Sequence, residues 1–164
     1  MFGNDGEILF HAKDNFAYRV RDDGTGLAKA LEKPILAIRS ISADKKWLVV
    51  ADSNISIYPL SGGESIHLPG DFMLNWSPDS LLLYVSWPQE GLSTGAGVTY
   101  VIPLRKGEMI PQVFRDGIRS KQDLANLPGV EVIDAADVAP GPEPQVYAYS
   151  REVTQRNLFR IPIP

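Results

Sequence analysis

The chain has 164 residues, of which 44% are hydrophobic and 22% charged, a balance typical of a globular domain and not of a disordered segment. Its net charge is −4, and its few clustered cations, near Arg115, Arg119 and Lys121, do not form the basic stripe of a nucleic-acid-binding protein. The absence of cysteine excludes disulfides, thiolate catalysis and cysteine-ligated zinc sites.

Two further features concern membranes and secretion. The longest apolar run, residues 81–85, is too short to cross a bilayer, so we expect no membrane insertion. The first ten residues, MFGNDGEILF, lack the basic and apolar regions of a signal peptide.

Three consecutive segments share one pattern. In each, a turn with an aspartate is followed three residues later by a short hydrophobic strand, and the aspartates are Asp5, Asp44 and Asp79. Their spacings, 39 and 35 residues, lie within the range of propeller repeats. Asp and Asn in such turns bond their own backbone, and β-branched and aromatic residues favour strands after them. The pattern therefore predicts three hairpins.

Short polar links lead from these strands into second strands that end alike. The links are K-D-N (13–15) and D-S-N (52–54), and Pro59 and Pro103 occupy matching positions that favour a strand end or an outer strand. We predict three strands in the first copy and four in each of the second and third.

The C-terminal part of the chain departs from the repeated hairpin pattern. Ser120 and Asp123 resemble a capping box and Pro128-Gly129 ends the segment, which predicts one short helix within residues 120–128. After it, GVEVIDAADV, PQVYAYSRE and NLFRIPIP read as three strands of a fourth, degenerate copy.

The predicted fold is all-β: about four β-propeller blades with one short helix. We expect 1–164 to be a partial β-propeller, with its boundaries at blades 1–35, 36–70, 71–114 and 128–164 and a helical insertion at 118–128. A β-sandwich is the alternative fold, but a sandwich does not require a repeated sequence pattern, so the repeat favours the propeller. The incomplete first and last copies suggest part of a larger propeller of about six or more blades, whose open edges favour self-association.

Several short motifs resemble a known repeat. The S-A-D-K and S-P-D-S turns before a strand, the D-G-T-G turn and the P-L-x-x-G-E sequence resemble the TolB-type, WD-like β-propeller repeats of bacteria, from about Phe2 to Pro164. The tail from Gly117 onward resembles the end of propeller domains attached to bacterial serine/threonine kinases and related signalling proteins.

The resemblance implies a non-catalytic binding or scaffold module of a bacterial sensory or signalling protein. It supplies no catalytic residues, and it implies an extracytoplasmic location if the kinase linkage holds and a cytoplasmic one otherwise. The alternative function is the propeller part of a hydrolase, either lactonase-like or prolyl-oligopeptidase-like.

One motif suggests a catalytic serine but lacks its partners. Residues 91–95 match G-x-S-x-G, yet a strand follows them and no histidine comes after Ser93. The two histidines, His11 and His67, have no third nitrogen ligand for zinc, so we predict no metal, no cofactor and no enzyme activity.

Binding residues are expected on protruding loops. The 88–97 segment is longer than the matching links of the other copies, and a cationic segment follows the third copy. The candidate partner-binding residues are Trp87, Ser93, Thr94, Arg115, Arg119 and Lys121. The expected ligand is a protein, a peptide or a glycan.

Overall fold

The computed structural model describes residues 1–150 apart from residues 2, 4–5, 69, 71, 89–95, 119, 142 and 144–145. In chain order these residues form β1 (Glu7–His11), β2 (Ala17–Arg21), β3 (Ala28–Lys29), β4 (Ala37–Ile41), β5 (Trp47–Ala51), β6 (Ile55–Pro59), β7 (Ile66–Leu68), β8 (Met73–Trp76), β9 (Leu82–Pro88), β10 (Gly97–Pro103), α1 (Gln112–Asp116), α2 (Lys121–Ala125), β11 (Glu131–Ile133), β12 (Val138–Pro140) and β13 (Tyr147–Tyr149). Neither described helix is long and apolar enough to span a membrane.

The strands form four antiparallel sheets, which confirms the predicted all-β class. Sheet 1 has the order β1-β2-β3, sheet 2 the order β4-β5-β6-β7, sheet 3 the order β8-β9-β10-β11, and sheet 4 pairs β12 with β13. In every sheet, strands that lie next to each other also follow one another in the chain. The sheets are therefore meanders, and each one is built from a continuous stretch of sequence.

The middle strands explain why the sheets must stack. In β5 the side chains of Leu48 and Val50 pack with sheet 1, while Val49 packs with sheet 3. In β9 the same alternation places Val85 toward sheet 2 and Tyr84 toward sheet 4. Because successive side chains of a strand point to opposite faces, these apolar runs require a neighbouring sheet on both sides.

The sheets pack in chain order with their first strands adjacent. Strand β4 lies beside β8, where the hydroxyl of Ser40 donates a hydrogen bond to the carbonyl of Leu74, and β8 lies beside β12. Met1 is hydrogen-bonded to β1 through its backbone. Its amino group lies 2.8 Å from the carbonyl oxygen of Leu9, and its carbonyl accepts from the Leu9 N–H at 2.7 Å.

The predicted aspartate turns at Asp44 and Asp79 are confirmed as hairpin turns, while Asp5 lies outside the described residues. In both turns a buried serine two residues earlier donates to the aspartate at 2.6 Å. Each serine also accepts a backbone N–H from the start of the next strand, from Trp47 to Ser42 and from Leu82 to Ser77, both at 2.9 Å. The repeat is therefore a hydrogen-bonded unit of side chains and backbone.

The third sheet differs from the strand assignment made from sequence. Its fourth strand is β11, which pairs Val132 with Tyr100, although the sequence pattern placed this stretch in the fourth copy. Both helices are inserted between β10 and β11. The predicted helix is confirmed as α2, where the Ser120 N–H donates to the Asp123 carboxylate at 2.9 Å, and α1 was not predicted. The alternation of apolar and polar residues in β11 predicts a strand but does not indicate whether it pairs with the sheet before it or the sheet after it.

We expect the two turn serines to contribute strongly to stability, because each is almost fully buried and satisfies a backbone N–H. Ser42→Ala and Ser77→Ala should each lower the free energy of unfolding by about 1–3 kcal/mol, measured by urea denaturation. Ser53→Ala, at an exposed position in another turn, is the matched control and should change it by less than about 0.5 kcal/mol. Equal effects in all three variants would contradict this role.

Candidate functional site

A groove of about 660 Å³ lies where sheets 1 and 2 meet, and we call it the 1–2 groove. It lies among the outermost strands, β3 and β7, and the segments next to them. The side chains and turns that line it are Arg19, Lys29, residues 30–33, Tyr58, residues 59–65 and His67. This volume lies within the range of small-molecule and peptide sites.

The charge of the groove is opposite in sign to that of the chain. Three cations line it, Arg19, Lys29 and Lys33, against two carboxylates, Glu32 and Glu64, so the groove carries a net +1 in a chain of −4. All five side chains are exposed and remain hydrated. An anionic ligand is therefore the one that this lining favours.

Sheet 1 positions its cations by strand alternation. Ala17 is buried against sheet 2, and Arg19, two residues further along β2, lies on the same face but at the open rim. Lys29 ends the short edge strand β3, and its Nζ atom lies 3.4 Å from the centre of the Phe16 ring. This cation–π contact fixes the ammonium group over Phe16, which is not among the residues that line the groove, and leaves its charge unneutralised.

Sheet 2 contributes a glycine turn. Gly62 and Gly63 both have positive φ, 85° and 119°, and the Gly62 N–H donates to the Pro59 carbonyl at 3.1 Å. A Cβ atom on Gly62 would meet nothing within 4 Å. The turn therefore presents bare backbone to the groove, flanked by Ser61 and Ser65.

Behind the groove lies a chain of hydrogen bonds that resembles a catalytic triad in composition. The Ser56 hydroxyl donates to Oδ2 of Asp52 at 2.7 Å and lies 2.8 Å from Nδ1 of His67. Nε2 of His67 lies 2.9 Å from the Ser65 hydroxyl, and the Tyr58 hydroxyl donates to Asp52 at 3.3 Å. The Tyr58 ring also meets the imidazole edge-on, with centroids 6.3 Å apart.

The order of Asp52, Ser56 and His67 is wrong for Ser56 to act as a nucleophile. In a triad the imidazole stands between serine and carboxylate and takes the serine proton. Here Ser56 stands between Asp52 and His67, so its single proton goes to the carboxylate and Nδ1 of His67 must donate to it. Ser56 is also 0% exposed. The arrangement fixes the orientation of the imidazole on β7 and leaves Nε2 of His67 as an acceptor for the Ser65 hydroxyl, 2.9 Å away.

The ionisation of the network follows from these bonds. Burial acts to raise the pKa of Asp52, but hydrogen bonds from the Asn54 N–H, Ser56 and Tyr58 together outweigh it, so the pKa lies below its ordinary value. Burial, together with the neighbouring Asp52 charge, raises the pKa of Tyr58. Asp52 is therefore an ionised acceptor, and Tyr58 keeps its proton to donate.

The candidate residues from the sequence lie elsewhere, and none of the described ones lines the 1–2 groove. Trp87 packs edge-on against Phe72, with ring centroids 4.4 Å apart, and Lys121 Nζ lies 5.6 Å from its ring. Arg115 lies 5.7 Å from the Trp47 ring. Ser93, Thr94 and Arg119 lie outside the described residues. The structure thus joins Trp87 with Lys121, and their role in binding stays a prediction.

The groove residues were missed because they come from two copies of the repeat. The sequence did contain a local signal for the Tyr58–Asp52 contact. In the first two copies of the repeat, an aspartate in the link before the second strand is followed by a tyrosine within that strand. Tyr18 donates to Asp14 at 2.8 Å, as Tyr58 does to Asp52. The cations carried no such signal, since scattered lysines and arginines are usual on any surface.

Neither a cluster of metal ligands among the described residues nor a known relative points to a function for this chain. Within the described parts of the chain, no three His, Asp or Glu side chains converge as metal ligands would. No family model, no curated protein and no solved structure matches the chain. The TolB-type resemblance therefore rests on the repeat motifs alone.

We expect Asp52 to give the fold a measurable acid sensitivity. Its folded-state pKa lies below the ordinary value of 3.8, so its stabilisation is complete above that pH and is lost as the pH falls through the lower, folded-state value. In Asp52→Asn the free energy of unfolding should therefore fall less steeply than in the unmodified chain between about pH 5 and about pH 2, measured by urea denaturation at each pH.

Other carboxylates titrate in the same window, so the difference between the two profiles is the quantity to compare. The pKa values of Asp14, Asp23 and Asp79 are also lowered, and all three remain in the variant. Asp22→Asn, which removes an exposed charge outside the network, is the control. If its profile departs from that of the unmodified chain as much as that of Asp52→Asn does, the network is not the cause.

Proposed function

We propose that this chain is a non-catalytic binding module built from β-propeller blades, and that the 1–2 groove holds an extended acidic peptide. The observation that carries the proposal is that three cationic residues, Arg19, Lys29 and Lys33, line one open groove in an acidic chain. Ser56, behind the groove, is arranged to orient His67 and not to react, because its proton is held by Asp52.

The propeller reading is supported by the order of the sheets. Four successive sheets pack face to face in chain order, and the first strands β4, β8 and β12 lie beside one another. Sheets that meet at their first strands and carry their later strands outward have the radial arrangement of propeller blades. The TolB-like repeat motifs and the tail support a place in a bacterial sensory or signalling protein.

The shape of the groove favours a peptide over a compact anion. It is open along its length and bordered by two edge strands, β3 of two residues and β7 of three. Edge strands offer unpaired backbone groups to an extended chain, and the cations add preference for acidic side chains. Hydroxyls of Ser61 and Ser65 and the phenol of Tyr58 supply further hydrogen-bonding groups.

Binding of a labelled hexaglutamate peptide tests the groove directly. We expect saturable binding at low salt, weaker binding at high salt, and no binding of a hexaglutamine peptide, all measured by fluorescence anisotropy. The double variant Arg19→Glu/Lys33→Glu should weaken hexaglutamate binding roughly tenfold or more, which corresponds to about 1.4 kcal/mol. Both side chains are exposed, so the fold should persist.

A matched control separates the groove from net charge. Lys106→Glu combined with Lys13→Glu makes the same change in total charge at exposed turns outside the groove. Compared at about 0.15 M salt, this control should bind within about twofold of the unmodified chain, because charges beyond a Debye length of about 8 Å are largely screened. Equal losses in both double variants, or no binding at all, would overturn the acidic-peptide proposal.

The absence of chemistry at Ser56 has its own test. We expect the chain and its Ser56→Ala variant to hydrolyse p-nitrophenyl acetate at the same background rate, because the Ser56 proton is held by Asp52 and the hydroxyl is buried. A rate that is well above background and falls at least about tenfold in a folded Ser56→Ala variant would support the hydrolase alternative instead.

A further inference from the structure

The side chains of Ser65 and His67 are joined by a hydrogen bond within the 1–2 groove. Both residues line the groove, with His67 exposed and Ser65 half-buried. Nε2 of the imidazole lies 2.9 Å from the Ser65 hydroxyl oxygen. Which of these two atoms donates depends on the protonation of the ring, because Nε2 donates only when it carries a proton.

The state of the neutral ring is set by the groups behind it. Ser56 donates its only proton to Asp52 at 2.7 Å, so Nδ1 of His67, 2.8 Å away, must carry the ring proton and donate to Ser56. A neutral imidazole has one N–H, so Nε2 is unprotonated and accepts a hydrogen bond from the Ser65 hydroxyl. Ser65 then presents only lone pairs to the groove. An ionised carboxylate can only accept, so it finds no donor at this position.

Protonation of Nε2 reverses this hydrogen bond. An imidazolium donates from both ring nitrogens, so Nε2 donates to the Ser65 oxygen and the hydroxyl hydrogen turns toward the groove. No heavy atom has to move, because the contacts of 2.8 Å and 2.9 Å serve both states. The Asp52 carboxylate interacts electrostatically with His67 and compensates the new positive charge. The protonated pair therefore offers an acidic ligand a donor and a cation at one place.

We infer that Ser65 and His67 form a carboxylate-binding position in the 1–2 groove, and that filling it is coupled to the uptake of one proton on Nε2 of His67. The inference rests on the proposed binding of an acidic peptide and identifies the groups that receive one of its carboxylates. The Ser65 hydroxyl donates to the carboxylate, and the imidazolium behind it supplies the opposite charge. Because charge pairs at exposed sites contribute modestly, we expect the protonated form to bind at least about threefold more tightly.

Other titratable groups around His67 keep one charge state near neutral pH. Carboxyl, lysine and arginine side chains ordinarily ionise well outside the range from about pH 6 to about pH 8. The pKa of Asp52 is lowered and that of Tyr58 is raised, which takes both further from this range. The charged groups that line the groove with His67 are Glu64 from the sheet 2 side and Arg19, Lys29, Glu32 and Lys33 from the sheet 1 side. On the other face of β7, α1 carries Arg115 and Asp116, which contact Trp47 and Gln112.

NMR spectroscopy of the two histidine rings tests the coupling directly. Long-range ¹H–¹⁵N spectra, recorded from about pH 5 to about pH 8 where histidine ordinarily titrates, report the protonation of each ring nitrogen. In the free chain the neutral His67 ring should carry its proton on Nδ1. Because coupling is reciprocal, a threefold preference for the protonated ring raises the midpoint of the His67 titration by about half a pH unit at saturating hexaglutamate. The ring of His11, whose Nε2 lies 3.2 Å from the Ile35 carbonyl outside the groove, should not shift.

Fluorescence anisotropy with hexaglutamate at about pH 6 and about pH 8, at constant salt, gives a second measurement. The unmodified chain should bind at least about threefold more tightly at the lower pH. His67→Gln should bind equally at both, because an amide does not titrate, whereas His11→Gln should keep the ratio of the unmodified chain. Ser65→Ala should lower this ratio, because the hydroxyl donates to the ligand only when the ring is protonated. Ser61→Ala, which removes an exposed hydroxyl of the same groove, should leave the ratio unchanged.

These measurements separate the carboxylate-binding position from the acidic-peptide proposal. Equal affinities at both pH values, or a His67 midpoint that bound hexaglutamate does not move, would contradict the carboxylate-binding position and leave the acidic-peptide proposal standing. The absence of binding at both pH values would overturn both. If His67→Gln loses its far-ultraviolet circular dichroism, the NMR titration of the unmodified chain decides.

Discussion

Strands without a solvent-facing side set the architecture of this chain. In β5 and β9 consecutive apolar residues are buried on alternate faces, so neither strand is satisfied by one neighbouring sheet. Burial of a single Leu or Val side chain contributes about 1.5–3 kcal/mol, and both strands are almost wholly apolar. Because β5 needs a sheet on both of its faces and β9 does too, sheets 1 to 4 stack in chain order. The turns between strands and the grooves between sheets follow from this stacking.

Buried hydroxyls then fix how the sheets meet. Ser86 and Thr99 face each other across β9 and β10 at 2.7 Å, and Thr99 donates to the Ala135 carbonyl at 2.7 Å ahead of sheet 4. Ser40 makes the corresponding link between sheets 2 and 3. Across the described residues, no buried side-chain polar atom lacks a partner. Apolar contact alone tolerates sliding, whereas a lost hydrogen bond in the interior is costly, so these links select one register.

The parts of the fold that the sequence predicted are those encoded by local patterns. The S-x-D turns of Asp44 and Asp79 and the start of α2 at Ser120 depend on residues within five positions of one another. Strand β11 was placed with the wrong neighbour, because its short alternation is compatible with pairing on either side. Only residues 134–137 separate β11 from β12, yet the chain passes from sheet 3 to sheet 4 there.

The candidate site was harder to predict because no one segment contains it. Arg19 and Tyr58 are 39 positions apart and meet only because sheets 1 and 2 are adjacent. The sequence instead drew attention to Trp87, Arg115 and Lys121, where a long loop and a cationic segment stood out. Aromatic and basic residues near loops suit a binding surface and a structural contact equally well, so composition could not separate the two.

The two helices explain why the 1–2 groove is open while its counterpart between sheets 2 and 3 is occupied. Sheets that meet at their first strands diverge toward their outer strands, which leaves a wedge between neighbours. In the second wedge, α1 lies against β7, and Phe114, Ile118 and Leu124 join the core shared by sheets 2 and 3.

Two cationic side chains also lie over this second wedge. Arg115 and Lys121 extend from the helices over Trp47 and Trp87, whose rings border the same core. Each covers an aromatic face with a side chain whose charged end remains in water, as long basic residues commonly do. Between sheets 1 and 2 no described helix fills the wedge, and the aliphatic filling of the core stops at Leu31 and Leu60. Of the cations beyond that point, Lys29 lies over the Phe16 ring, whereas Arg19 and Lys33 are exposed to solvent and are therefore available to an incoming anion.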